Sequence, residues 1–433
     1  MPPRFLHSNG PAAQYPESYW AAISSPPQAY SPLETDVTAD VCVIGGGYAG
    51  LSTALHLSQQ GFRVVVLEAH RIGWGASGRN GGQLSYGPRR NILWCEKNFG
   101  ISATKEIWHI TTEANTLVRE IIQNSPIPCN LSNGVLQINH KKFINHSSRQ
   151  NVEILAKRYG HDAIHFLDTH ELQDYVQETK CHGGILDKKK GVVNPMALAF
   201  GLGALVDQNG AIIYESSPVI EIKTQKRSRF QCITPHGQVT SDWIAICCNG
   251  YHDNLYKRNP YTVPLNSFMI ATEQLSDEQI EKTVRQEVGI HDTRIRPSYF
   301  HKTKDNRIIF GGYEQFREKF PVYASDKTYQ RMVRLFPSLN GSKIDYAWGG
   351  TFAISWTRMP IFEQMQPGIL TMGGWSGEGV HMAIMGGKIA AQMLAGNAEK
   401  FDIMEKIPKK VFSPNPFLQR IAALFTSLRE LLE

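Results

Sequence analysis

Apolar residues follow two rhythms along this chain, and the changes of rhythm locate its elements. Val41-Cys42-Val43-Ile44 is an unbroken apolar run that ends on Gly45-Gly46-Gly47. Helical spacing follows from Tyr48 through Ala54, and then a second run, Val64-Val65-Val66-Leu67, closes on Glu68. Continuous apolar runs bounded by glycine mark strands covered on both faces, so this is a strand–turn–helix–strand unit. Ala103 to Ile122 reads as a helix. Asn194-Pro195 is an N-cap with proline at the first helical position, so a helix is expected from Met196 to Gln208, stopped by Asn209-Gly210. Ala211 to Tyr214 reads as a strand, Pro218 to Ile222 opens a hairpin, and Trp243 to Cys248 is a buried strand ended by Asn249-Gly250. Alternation over Val263 to Thr272, Arg296 to Lys302 and Arg307 to Gly312 predicts an antiparallel sheet. A late strand, Gly368 to Met372, leads through a glycine turn into a helix from His381 to Leu394. Phe417, Ile421, Leu424, Leu428 and Leu431 then place one apolar face on a helix from Asn415 to Glu433.

The expected class is therefore α/β (α+β): a Rossmann-type nucleotide-binding domain in discontinuous segments, with an antiparallel-sheet substrate domain. The boundaries are an N-terminal arm at 1–38, nucleotide-binding segments at 39–88, 189–262 and 346–400, substrate segments at 89–188 and 263–345, and an amphipathic tail at 401–433. A chain of 433 residues is long enough for two lobes with sizeable cores. The net charge of +6 is mild and unclustered, so nucleic acid is not an expected partner. Met1 to Tyr19 has no apolar segment of the secretory kind, and no stretch reaches the length of a membrane span. The seven cysteines form no CxxC, so neither a metal site nor a disulfide framework is expected, and a reducing cytoplasm suits them. The tail packs on the body or makes a peripheral contact with a membrane surface or partner, with Lys406, Lys409 and Lys410 nearby.

The first unit carries chemistry. Gly45 permits the tight turn, Gly47 lets backbone approach a pyrophosphate, and Gly50 lets the helix pack on the strand. The helix that starts at Tyr48 and Ala49 offers free N–H groups and a positive dipole end to phosphates. Glu68, followed by Ala69, can accept both ribose hydroxyls and would repel a 2′-phosphate. Gly73-Trp74-Gly75-Ala76-Ser77-Gly78-Arg79-Asn80-Gly81-Gly82-Gln83-Leu84 follows directly. Such a stretch suits backbone wrapped around a flavin rather than around NAD. The alternative is an ordinary mobile glycine loop.

With Gly374-Trp375-Ser376-Gly377-Glu378-Gly379-Val380 late in the chain, these motifs resemble the D-amino acid oxidase-type FAD-dependent oxidoreductases. The wording from Ser77 to Gln83, and Ser18-Tyr19-Trp20-Ala21-Ala22, is most similar to the γ-glutamylputrescine oxidoreductase branch. The resemblance implies a glycine/D-amino acid oxidase-like fold and bound FAD. It implies that Val219 meets the adenine through its backbone and that the Asn249-Gly250 turn lies beside the cofactor. It also implies hydride transfer from the C–H next to a neutral amine nitrogen, with molecular oxygen or a quinone as acceptor. Relatives that tether the flavin use a histidine where this chain has Trp74, or a cysteine beyond Cys248, where it has none, so FAD is expected to be non-covalent. The late helix N-terminus can favour negative charge on a reduced flavin.

Substrate residues are less legible. His381 stands where a relative grips a carboxylate with lysine; it reads equally as a structural or flavin-side histidine. Arg358 is a carboxylate or flavin partner, or a surface arginine. Tyr299-Phe300-His301 resembles a Tyr-Tyr-Arg pattern of the branch, with His301 departing from it. Trp348 and Trp375 are core residues or walls of an amine site. The expected activity is oxidation of a C–N bond in a γ-glutamylputrescine-type or other amine. The rivals are a D-amino acid, glycine or sarcosine oxidase or dehydrogenase, and a flavin-binding scaffold without turnover. Oligomeric state has no signature in the sequence.

Overall fold

A computed structural model describes residues 6, 10, 12–225, 229–251, 255 and 260–412. Its strands, in chain order, are β1 (Val37–Ile44), β2 (Val64–Leu67), β3 (Gln83–Leu84), β4 (Ser132–Ile138), β5 (Ile164–Leu167), β6 (Gly184–Val192), β7 (Ile212–Tyr214), β8 (Glu221–Thr224), β9 (Phe230–Ile233), β10 (Gln238–Ile246), β11 (Thr262–Thr272), β12 (Gly289–Asp292), β13 (Tyr299–Lys302), β14 (Ile308–Gln315), β15 (Ile344–Ser355), β16 (Ile361–Gln366) and β17 (Ile369–Gly373).

They form two sheets. The first has the order β16-β17-β10-β1-β2-β7, with the β8–β9 hairpin attached to β10. Its β17, β10, β1, β2 and β7 run parallel. Such strands are covered on both faces, which is why Val41–Ile44 and Val64–Leu67 are apolar throughout and fully buried. The helices Tyr48–Ser58, Pro195–Gln208 and Gly379–Leu394 share one apolar core with this sheet. Gly50 fills its expected role: a Cβ there would lie 1.9 Å from the Gly45 carbonyl oxygen. Asn194 caps its helix as expected, its Oδ1 accepting from the N–H groups of Met196 and Ala197.

The second sheet has the order β15-β11-β14-β13-β12-β4-β6-β3, with β5 on β6, and is mostly antiparallel. One face packs Ile270, Ile290, Phe300 and Phe310 against the helix Ala324–Leu335 and Phe336. The other faces the first sheet's loops. Two sequence expectations shift. β15 pairs with β11 along nearly its whole length, so the second sheet continues to Ser355 and past the expected boundary at 345. The expected N-terminal arm at 1–38 carries regular structure: Tyr19–Ile23 is a helix capped by the Ser18 hydroxyl, and Val37 and Thr38 already belong to β1. Of the expected tail, Glu399–Glu405 forms a helix that buries Phe401 and Met404; the amphipathic pattern from Asn415 lies outside the described residues. Among the described residues no helix is long and apolar enough to cross a membrane.

Candidate active site

A cavity of about 920 Å³ runs between the two sheets. At one end it is lined by Gly45, Gly47, Glu68, Ala69 and Val219, where the parallel strands of the first sheet end. The C-terminal ends of such strands are the general ligand site of this architecture. The helix Tyr48–Ser58 starts on Gly47, which has no side chain to cap it; Ser77 Oγ accepts from the Tyr48 N–H at 3.0 Å. Glu68 is held in place by two backbone donors: Gly46 N–H to Oε2 at 2.6 Å and His70 N–H to Oε1 at 2.8 Å. Burial raises its carboxyl to about 7.

The glycine-rich loop forms the next wall. Asn80 ties it together, donating to the carbonyls of Ala76 and Ser77 and accepting from Gly82 N–H. Ser77, Arg79, Asn80, Gly81 and Gln83 line the cavity; Gly82 and Leu84 instead join the loop to β6. Gly82, at φ 72°, would place a Cβ 2.1 Å from the Val193 carbonyl. Arg79 lies over the Trp74 ring and donates to the carbonyls of Trp74 and Gly349, but its buried Nη2 has no partner. An orphaned guanidinium nitrogen in a cavity that begins at a nucleotide turn fits the negatively charged parts of a flavin dinucleotide.

The late motif closes the cavity with Trp375, Ser376, Gly377, Glu378, Gly379 and Val380. The helix Gly379–Leu394 begins here, two residues before the expected His381, and no side chain caps it. Gly374 and Gly250 do not line the cavity; Asn249 Oδ1 accepts from Gly374 N–H, so these residues hold the two turns together.

The floor is the second sheet. Met269, Tyr299, His291 and Gln137 stand in register across β11, β14, β13, β12 and β4, with Gly311 between the first two. At the usual strand spacing this row spans about 19 Å. Tyr299 Oη bonds Ser267 Oγ at 2.7 Å, and the absence of a side chain at Gly311 gives its ring room. His291 is pushed down to about 3 by burial and is neutral.

Three of the substrate-side sequence candidates are not at the cavity wall. His381 is fully buried on its helix, and burial pushes it down to about 4. Burial thus disfavours the cationic form that a carboxylate grip would use. His301 shares the Tyr299 face of β13 but is stacked on Trp20 of the N-terminal helix, with ring centroids 5.9 Å apart. Trp348 donates its Nε1–H to the Arg79 carbonyl, so it supports the loop. Tyr299, Arg358 and Trp375 do line the cavity. The sequence reading missed His291, Gln137 and Glu314. Glu314 fell beyond the expected end of its strand at Gly312, although a Gly-Gly pair within a strand pattern marks a bend or a close approach as readily as an end.

Residues 40–393 match the family described as FAD dependent oxidoreductase (DAO). The chain is 33% identical to gamma-glutamylputrescine oxidoreductase of Escherichia coli (strain K12), over 97% of this chain and 99% of that protein. It is 32% identical to the probable oxidoreductase OrdL of Rhizobium meliloti (strain 1021), over 90% of each. Glycine oxidase from Geobacillus kaustophilus shares the fold with a TM-score of 0.68 at 16% identity, covering 88% of this chain and 98% of that one. L-proline dehydrogenase from P. horikoshii does so with a TM-score of 0.70 at 17% identity, covering 85% and 98%.

Proposed function

The chain belongs to the DAO family of FAD-dependent oxidoreductases, and from that premise we propose that it oxidises the C–N bond of a γ-glutamylputrescine-type amine. The family acts on amines and amino acids; the finer reading rests on the likeness along nearly the whole chain and on the length of the cavity floor. A floor of about 19 Å suits an extended acylated diamine better than glycine or D-alanine.

Bound FAD supplies the hydride acceptor. The chain's residues bind and orient. Glu68 accepts ribose hydroxyls, the helix start at Gly47 receives the pyrophosphate, and the free Nη2 of Arg79 adds positive charge. The helix Gly379–Leu394 points its positive end at the cavity. Met269, Tyr299 and Trp375 exclude water from the reacting carbon. A neutral His291 on the floor favours the uncharged amine that hydride loss requires.

Anaerobic addition of γ-glutamylputrescine, putrescine, sarcosine, glycine, D-alanine and D-proline to the holoenzyme tests this. Bleaching of the flavin by γ-glutamylputrescine ahead of the others is the expected result. Bleaching by a simple amino acid alone would reassign the substrate, and FAD that no amine bleaches would favour a scaffold. Recolouring in air then separates oxygen from quinone as acceptor.

A further inference from the structure

Two opposite charges face the same cavity without meeting each other. Glu314 stands on β14 in register with Ser267, and Arg358 stands on the turn after β15 at φ 63°. Both line the cavity. Among the described residues neither side chain makes a hydrogen bond or an ion pair. They nevertheless feel each other: burial raises the Glu314 carboxyl and Arg358 is the foremost charge opposing that rise, while burial lowers Arg358 and Glu314 opposes it. Two other cations nearby are engaged. Arg331 donates to the Arg296 carbonyl, and Arg89 to the Ser376 carbonyl. Both residues are half-buried on the cavity wall, and charges drawn out of water are normally paired, so an acid and a base left apart there suit a ligand that carries both complements.

We propose that Glu314 and Arg358 form a two-charge clamp for a zwitterionic amino-acid head group, its ammonium on the carboxylate and its carboxylate on the guanidinium fork. The clamp holds the end of the substrate that is not oxidised. A carboxylate stabilises the ammonium form, and hydride loss requires the neutral amine, so the amine that Glu314 holds is not the reacting one. A planar guanidinium takes a carboxylate with two parallel hydrogen bonds, which fixes orientation as well as charge. The inference rests on the amine-oxidation reading and narrows it to amines with an amino-acid tail, excluding free diamines.

The test is calorimetric titration of the holoenzyme with L-glutamine, which has the zwitterionic head and an amide but no second amine. The comparisons are 4-aminobutanamide, which lacks the carboxylate, and glutaramate, which lacks the ammonium. L-Glutamine is expected to bind about 10- to 100-fold tighter than either, the worth of a charge-assisted hydrogen bond. Glu314→Gln should erase the advantage over glutaramate, Arg358→Gln the advantage over 4-aminobutanamide, and Arg358→Lys should restore part of the latter. FAD content is expected to stay constant in all three variants. Equal binding of the three ligands by the unaltered protein overturns the clamp, as does loss of FAD in Arg358→Gln, which would assign that arginine to the cofactor. Because no turnover is read, these outcomes are independent of whether γ-glutamylputrescine bleaches the flavin. Failure of that bleaching alone refutes the proposed reaction and leaves the clamp standing.

Discussion

Glu68 carries the sharpest consequence at the scale of single residues. Its carboxyl sits at about 7 because burial outweighs two backbone donors. Ribose hydroxyls donate to the ionised form and lower that value in the complex. The complex then binds fewer protons than the free protein, so FAD affinity rises as pH rises toward about 7 and levels off above it. Glu68→Gln should flatten this dependence and weaken FAD by about 10- to 100-fold, read by fluorescence titration of the apoprotein from pH 5 to 8. A second residue-scale prediction concerns Gly311. A Cβ there would lie 2.3 Å from the Tyr299 ring. Gly311→Ala should displace that ring and break its bond to Ser267. Anaerobic flavin reduction should slow by about tenfold or more while FAD content holds, since small misplacements at a reacting centre cost rate. Glu68 was legible in the sequence because a strand-ending acid has one job in a nucleotide unit. Gly311 was not, because its meaning comes from a tyrosine on the neighbouring strand.

Among elements, the crossing of two helices matters most. Gly387 faces the helix Tyr48–Ser58, and a Cβ would lie 2.5 Å from the Ala49 carbonyl and 2.6 Å from Ser52 Cβ. Both helices begin at the cavity, so prying them apart moves two sets of N–H groups. Gly387→Ala should cost about 1–3 kcal/mol in urea unfolding and weaken FAD in the same variant. An unchanged unfolding midpoint would show that the crossing relaxes freely. The strand–turn–helix units at both ends of the chain were readable because their apolar runs and glycines are local signals. The fate of His301 was not. Its strand parity with Tyr299 places it on the cavity side, but Trp20 arrives from far along the chain and stacks over it. The placement of His381 was not legible for a similar reason. Counting from the late motif places it in the helix, yet helical rotation turns it into the core while Glu378, Gly379 and Val380 reach the cavity.

At the scale of the whole molecule, FAD is the part that both sheets share. The cavity takes Glu68 and Val219 from the first sheet's side, and Met269 and Tyr299 from the second. A ligand bound only by the folded chain stabilises it by about 2.7 kcal/mol at a hundredfold excess over Kd. For a chain of 433 residues that is a rise in Tm of roughly 3 °C. The shift should depend on FAD concentration, which it would not if the flavin were tethered. Trp74 is stacked on His70 with ring centroids 3.8 Å apart and has no nucleophilic atom to offer. The candidates for a covalent bond at the cavity wall are therefore His291, Cys247 and Cys248. Burial raises both thiols, Cys247 to about 12, and so suppresses the thiolate that would attack. His291 is neutral, and a tether through it would remove the uncharged group on the floor that favours a neutral amine. Acid precipitation of the holoenzyme should leave all yellow colour in the supernatant. Colour that stays with the pellet, and is lost in His291→Ala, would mean that the floor of the site holds the flavin as well as the substrate.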